Sequence, residues 1–380
     1  MSQAIELRGM TWSDPRGFDP VVAAAKAFAD IVPGVSIVWD KRSLQGFEST
    51  PVDELAASYD LMVIDHPHVG AVAGQGCLLA FEAHASGFDL DRLRGESVGK
   101  SFESYFLRGH QWALPIDAAT QVQAIRPDLL AAPVTRFAQV VELARQGLVV
   151  WPLRPPHSLM NFYTLAANIG APCAVAPCAL VPRAAGLRVL EALQTLADAV
   201  DPVCYTMDPI AAYEALVEGG RFVMIPYAYL YAPYARQGYR GHRISYHNIP
   251  ALGEMGPIGS ALGGTGIAIS ARTAHPEICT RFAIWLAGAE VQAGLYAGNN
   301  GQPGNARAWA DEAVNLAVGG AYKNTRLTHE AAWLRPRHAG YMAFQEEASG
   351  IVNDALWGRV SHLAALDAMD ARFMESFGDE

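Results

Sequence analysis

The chain has 380 residues, 51% hydrophobic and 17% charged, a balance that excludes a disordered tail and leaves enough apolar sequence for two cores. With 28 basic residues against 38 acidic ones the formal net charge is -10, so the overall field repels phosphate backbones and argues against nucleic-acid binding. A small solute is the better partner.

In chain order, Ile5 to Thr11 predicts a short strand. Trp12 to Pro20 is a polar turn with two prolines and a glycine, and Val21 to Ile31 predicts an Ala-rich helix starting at Asp19, with Pro20 at its first position. Val35 to Trp39 reads as a second strand, Val52 to Ser58 as a short helix, and Tyr59 to Ile64 as a third strand of nearly continuous apolar residues. This alternation predicts a parallel sheet with helices on both faces. Val140 to Gln146 continues a helix and Leu148 to Trp151 predicts a strand. His157 to Ile169 and Gly186 to Val200 suit helices, and Arg221 to Pro226 suits a short buried strand. After Gly263-Gly264-Thr265-Gly266 come a strand, Ile267 to Ser270, and a helix, Pro276 to Ala287. From Trp309 onward the pattern is helical, ending in Leu363 to Phe377.

The uncharged run Leu165 to Pro182 is broken by Gly170, Pro172, Pro177 and Pro182, which argues against an integral membrane protein. The N-terminus has charges at Glu6 and Arg8 and no apolar core before a cleavage site, so it does not read as an export signal. The expectation is a cytoplasmic chain if this N-terminus is native, and a periplasmic one if a signal was removed. Cys77, Cys204 and Cys279 read as buried thiols. Cys173 and Cys178 have a spacing that allows a local disulfide.

In parallel α/β sheets ligands collect at the carboxyl ends of the strands. Two polar clusters fall there: Trp12, Asp14 and Arg16 after the first strand, and Asp65, His66 and His68 after the third. The second cluster has three readings: hydrogen bonding to a ligand at a cleft rim, a structural role, or metal and proton chemistry. Asp117, in Leu114-Pro-Ile-Asp, would need a donor if buried, which Arg16 or a ligand hydroxyl could supply; helix capping is the other reading. Among Tyr227, Tyr229, Tyr231, Tyr234, Tyr239 and Tyr246, most suit packing, while Tyr227 and Tyr229 follow the strand directly and suit stacking on a sugar. Trp12 and Trp151, each at a strand end, are stacking candidates too. No nucleotide fingerprint, Walker-type loop, His-Glu-x-x-His or Gly-x-Ser-x-Gly motif occurs, so no cofactor and no catalytic residue is expected.

Several segments together resemble the extracellular solute-binding proteins of bacterial ABC importers, the family that includes the maltose-binding proteins. They are Gly-Gly-Thr-Gly-Ile-Ala-Ile-Ser at 263–270 with His275-Pro276-Glu277, Phe282-Ala-Ile-Trp-Leu and Glu290-Val-Gln292; Leu114-Pro-Ile-Asp117 with Arg126-Pro-Asp-Leu-Leu130; and Asp60-Leu-Met-Val-Ile64. The resemblance implies an α/β, type II periplasmic-binding-protein fold, with two α/β lobes joined by crossover strands around a ligand cleft. Expected boundaries are 1–115 plus 260–308 for the first lobe and 116–259 plus 309–380 for the second. By position it implies ligand contacts from Trp12, Asp14, Arg16, Asp65, His66, His68, Asp117, Tyr227 and Tyr229, with His157 and Thr265 as additions.

The resemblance also implies capture of a small polar solute by hinge closure, a sugar, polyol or sugar-acid-like compound, for delivery to an ABC permease. Arg16 and the histidines suggest a carboxylate or other anionic group on that solute. The rival is a cytoplasmic enzyme or ligand sensor on the same fold, using Asp65, His66 and His68.

Overall fold

The computed structural model describes residues 4–44, 46 and 50–378. Met1 to Gln3, on which part of the export-signal reading falls, lie outside the described residues. The principal strands are β1 (Ile5–Trp12), β2 (Val35–Arg42), β3 (Leu61–Asp65), β4 (Leu114–Ile125), β5 (Met224–Tyr229), β6 (Ser245–His247) and β7 (Leu262–Ile269). Helices used below are α1 (Pro15–Ile31), α2 (Gly87–Glu96), α3 (Phe137–Arg145), α4 (His157–Asn168), α5 (Arg183–Ala197), α6 (Pro209–Val217), α7 (Pro276–Ala287), α8 (Tyr341–Leu356) and α9 (His362–Glu375).

The chain divides into two units. The first holds residues 1–119, 231–233 and 263–316, and the second holds 120–230, 234–262 and 317–380. Residues 116–119, 231–233 and 309–316 thus belong to the first unit, and 260–262 to the second. β4 contributes its first six residues to one unit and its last six to the other.

In the first unit the strand order is β2-β1-β3-β7. β1 pairs in parallel with β2 and β3, whereas β7 runs antiparallel to β3, with Asp65 opposite Thr265. The expected parallel sheet is therefore mixed in this unit. Burial of β3 alternates between two clusters: Leu61 and Val63 join Val21 and Phe28 of α1 and Phe282 and Leu286 of α7, while Met62 and Ile64 join Val52, Leu55, Val69 and Tyr105. A strand covered on both faces needs apolar residues at every position, which is why its sequence reads as a continuous run. Each of these side chains contributes about 1.5–3 kcal/mol by leaving water.

α1 begins one turn earlier than the sequence reading placed it. Two Asp-Pro pairs lie in this segment, and the first is the start: Asp14 Oδ1 accepts from Arg16 N at 2.8 Å, with Pro15 in the first turn. Pro20 lies inside the helix, where it removes one ladder hydrogen bond near the N-terminal end. α7 spans the residues expected for it.

In the second unit, β5 and β6 both run antiparallel to β4. β5 lies three residues later than expected at each end. Its Pro226 has no N–H and falls where the pairing with β4 shifts register, between Val122 and Ala124. The strand expected at Leu148 to Trp151 is reduced to one bridge, Val149 to Met224. The backbone turns away there: Trp151 N–H donates to Cys204 Sγ at 3.4 Å and Leu153 N–H to Cys204 O at 3.0 Å. α4, α5, α8 and α9 pack together through buried residues that include Leu190, Leu193, Leu196, Phe344 and Phe373. All five cysteines are free thiols, Cys178 exposed and the others buried, so Cys173 and Cys178 form no disulfide. Among the described residues no helix is long and apolar enough to cross a membrane.

Gly264, at φ +100°, allows β7 to lie against β4. A Cβ there would stand 2.4 Å from Asp117 O and 3.0 Å from Ala118 Cα. Gly264→Ala is expected to cost about 2–3 kcal/mol, from backbone strain and from parting the strands. Gly95→Ala in α2 meets nothing within 4 Å and is expected to be neutral or to stabilise by about 0.5–1 kcal/mol. Urea midpoints of the two variants check the contrast.

Candidate functional site

The carboxyl ends of β1 and β3 share one edge of the first unit's sheet, because Gly9 pairs with Leu61 and Met10 with Met62 in a parallel ladder. This register brings the two predicted clusters to the same edge. Trp12 ends β1 and is buried, its indole lying where a Cβ on Gly17 would fall, 2.3 Å from Trp12 Cδ2. Gly17 is therefore the residue that gives the indole its place against the first turn of α1. Thr11 Oγ1 donates to Gly17 O at 3.1 Å and ties that turn back to the strand.

Arg16 supplies the donor that Asp117 requires. Its Nε donates to Asp117 Oδ2 at 2.8 Å and its Nη2 contacts Oδ1, a bidentate pair with side-chain exposures of 5% and 0%. The Tyr231 ring lies 4.6 Å from the guanidinium carbon. Burial works against the Arg16 charge, yet the Asp117 carboxylate outweighs it and holds the guanidinium well above its ordinary range. For Asp117, burial pushes the carboxyl upward against the pull of Arg16, and Asp65 adds to the upward push. Both members of so close a pair stay ionised together. The capping alternative for Asp117 is set aside, since it lies within β4, and Asp14 takes the cap of α1.

Asp65 ends β3 and caps the following turn of 3₁₀-helix, His66–His68, by accepting from His66 N–H at 2.8 Å. Its side chain is 20% exposed and lies 3.3 Å from His66 Nδ1. His66 and His68 are both buried. The His66 ring meets Tyr105 edge-on, and Tyr105 OH donates to Ile64 O at 3.1 Å and reaches Gly264 O at 3.3 Å. Tyr105 thus clamps the ends of β3 and β7. Among the described residues no group of three or more His, Cys, Asp or Glu side chains is arranged to hold a metal ion, the Asp65, His66 and His68 cluster included.

Across the ladder from Asp65 stands Thr265, 7% exposed, whose Oγ1 has no hydrogen-bond partner among the described residues. A buried hydroxyl without a partner costs about 1–3 kcal/mol. Such an atom beside a carboxylate is a place for a polar ligand group.

In the second unit, His157 opens α4 and faces Tyr229 edge-on at 6.4 Å between ring centroids. Its exposure is 4%, its Nδ1 has no hydrogen-bond partner among the described residues, and burial lowers its pKa to about 4. It is a neutral imidazole at pH 7. Tyr229 is half-buried, and its carbonyl accepts from Tyr213 OH at 2.8 Å. Tyr227 is a correction to the stacking reading: it is fully buried, its hydroxyl donates to Pro250 O at 2.7 Å, and burial pushes its pKa up. No ring face is left for a solute. Trp151 is fully buried as well and offers none.

In the first unit, therefore, the structure brings together Trp12, Asp14, Arg16, Asp65, His66, His68, Asp117 and Thr265, and in the second it pairs His157 with Tyr229. The sequence reading overlooked Tyr231 as the ring under Arg16, and Tyr105. Tyr231 sits in the tyrosine-rich stretch 227–246, whereas nothing local marks Tyr105. Gln302 was overlooked too: its Nε2 donates to Ala118 O at 2.7 Å and its Oε1 accepts from Ala232 N–H at 3.1 Å, so it fastens the 231–233 segment to β4.

No family model matches the sequence, and no curated protein matches it. Solved structures do match. A solute-binding protein of an ABC transporter from Thermotoga lettingae, bound with α-D-tagatose, superposes with a TM-score of 0.83 at 14% identity, covering 98% of this chain and 100% of the other. The maltose-bound MalE3 of T. maritima gives 0.81 at 16% identity, over 97% and 98% of the chains. A solute-binding protein from Agrobacterium radiobacter in complex with ribitol gives 0.79 at 18% identity, over 98% and 99%. With the α/β elements described above, these likenesses over nearly the whole length establish that the chain has the periplasmic-binding-protein fold.

Proposed function

We propose that this protein captures a small polar solute, a sugar or polyol, for a bacterial ABC importer, and that it does so without chemical change. The observation that carries this reading is the state of two polar atoms at positions the sequence had pointed to. Thr265 Oγ1 and His157 Nδ1 are buried and have no partner among the described residues, beside a carboxylate in one unit and an aromatic ring in the other. Within either unit a solute hydroxyl would satisfy the orphaned atom, and in the second unit the Tyr229 ring beside His157 offers an aromatic face for C–H surface. The fold supports the same reading, since three proteins that share it hold maltose, tagatose and ribitol.

Hinge closure on the solute and delivery to a permease belong to this proposal, as does action outside the cytoplasmic membrane. Cell fractionation checks the last of these. Binding is checked by thermal shift: at 100 times its dissociation constant a solute adds about 2.7 kcal/mol of stability, several degrees in a protein this size. Sugars and polyols are expected to give that shift. A panel of them that leaves the melting temperature unmoved overturns the reading.

A further inference from the structure

We infer that the first unit carries a further binding site, for a free amino acid with an aromatic side chain, at a cavity apart from the carboxyl ends of its strands. The cavity is open, has a volume of about 600 Å³ and is lined mainly from α2, α7 and the residues that follow α7. All of its lining residues lie in the first unit, and none of them belongs to the capture reading above.

The periodicity of α7 builds the floor. Glu277, Arg281 and Trp285 recur every fourth residue along one ridge, and Thr280 and Ile284 form the ridge beside it, so one helix face gives the cavity both charge and apolar surface. Trp285 is held in place by two rings of the core, Phe28 at 5.4 Å and Phe282 at 6.1 Å between centroids. Trp285, Ile284 and Val291 all line the cavity and are only partly buried against that core. They offer an aromatic side chain a surface to stack on.

Charge selects the other end of the ligand. Arg92 lies 3.3 Å from Asp89 and 3.6 Å from Glu96, and Arg307 lies 3.4 Å from Glu96, so these four lining side chains are matched to one another. Glu277 and Arg281 are exposed, and among the described residues neither has an ion-pair partner. A Glu four residues before a base is the arrangement that ordinarily pairs on a helix, with the two Cβ atoms about 5–6 Å apart. An ammonium and a carboxylate on one carbon bridge that span, the amine on Glu277 and the carboxylate on the Arg281 fork. Glu290 lines the cavity too, exposed and likewise without an ion-pair partner among the described residues. A carboxylate without an amine therefore meets two acids, and an amine without a carboxylate leaves Arg281 unmatched.

Exposed charges alone would not define a site. The second observation is Thr280, which lines the cavity at 2% exposure with its hydroxyl lacking a partner among the described residues. A threonine hydroxyl on a helix can bond back to a carbonyl one turn earlier, and this one does not. A charged group seated between Glu277 and Arg281 gives it the partner it lacks.

Calorimetric titration of the intact protein at pH 7 with L-phenylalanine tests this, against hydrocinnamate, which lacks the amine, phenethylamine, which lacks the carboxylate, and glycine, which lacks the ring. Phenylalanine is expected to bind, and each of the others at least about tenfold more weakly. Arg281→Gln and Glu277→Gln, both at exposed positions, are each expected to weaken phenylalanine about tenfold while the melting temperature of the free protein stays the same. Thr280→Val is expected to weaken it as well but to raise the melting temperature, because a methyl group replaces a hydroxyl buried without a partner. Phenylalanine that does not bind, an analogue that binds as tightly, or an affinity unmoved by Arg281→Gln overturns the inference. Sugars and polyols take no part in these titrations, so the capture reading stands or falls separately.

Discussion

Asp117→Ala is expected to destabilise the first unit by about 3–5 kcal/mol, the cost of leaving the Arg16 guanidinium buried without its counter-charge. The pair is removed from water on both sides, at 5% and 0% side-chain exposure, so solvent cannot take the carboxylate's place. The double replacement Arg16→Met with Asp117→Leu removes both charges while keeping apolar volume, and is expected to recover at least half of that loss. Urea denaturation with fitted midpoints and slopes separates these outcomes. A double variant as unstable as Asp117→Ala would mean that the damage comes from lost packing in β4, not from an orphaned charge.

The second large effect is on acid stability. Burial lowers the pKa of His157 to about 4 and that of His329 to about 3, with nearby arginines adding in the same direction and Asp208 opposing it at His157. In the unfolded chain both imidazoles titrate near 6.5. Below that pH the unfolded state takes up protons that the folded state refuses, so the stability they contribute is whole above about pH 6.5 and is lost as pH falls toward 4 and then 3. For His157 the full loss is roughly 3 kcal/mol. His157→Gln cannot titrate, so its stability should fall less steeply than the parent's between pH 6.5 and about 5, above the range where most carboxylates protonate. Denaturation midpoints measured across that window decide it, and parallel curves would show that His157 is protonated in the fold without cost.

Both residues illustrate what could be read locally. His157 was marked by position, at the start of a segment with helical periodicity, and α4 begins there. The depth of its burial was not legible, because it depends on how α4 packs with α5 and α8. Asp117 was recognised as a carboxylate needing a donor, and Arg16 was named for it from chemistry alone. The pairing spans 101 residues of sequence, and its bidentate form is a property of the folded unit.

Elsewhere local signals competed, and the structure chose between them. Asp14-Pro15 and Asp19-Pro20 are equally good helix starts in sequence, and the earlier one prevails because Trp12 packs onto the turn that Gly17 opens. β4 was missed as a twelve-residue strand because Asp117, Thr120, Gln121 and Gln123 interrupt its apolar pattern. All four are buried, and each is satisfied by a partner distant in sequence: Arg16, Ala261 O, Asn161 and Val134 O. A polar residue in a strand reads as exposed until its hydrogen-bond partner is known.

By itself the sequence determined the alternation of strands and helices in the first unit, the loops after β1 and β3 as the place for polar chemistry, and the α/β class. These follow from periodicity, proline and glycine positions and local capping, which act over a few residues. Only the tertiary structure decided that β7 runs antiparallel beside β3, that Tyr227 is packed away while Thr265 stands opposite Asp65, and that the charge of Arg16 is matched by Asp117. Those outcomes depend on pairings between residues far apart in the chain, and the energy of a buried charge or hydroxyl is set by the neighbours that folding brings to it.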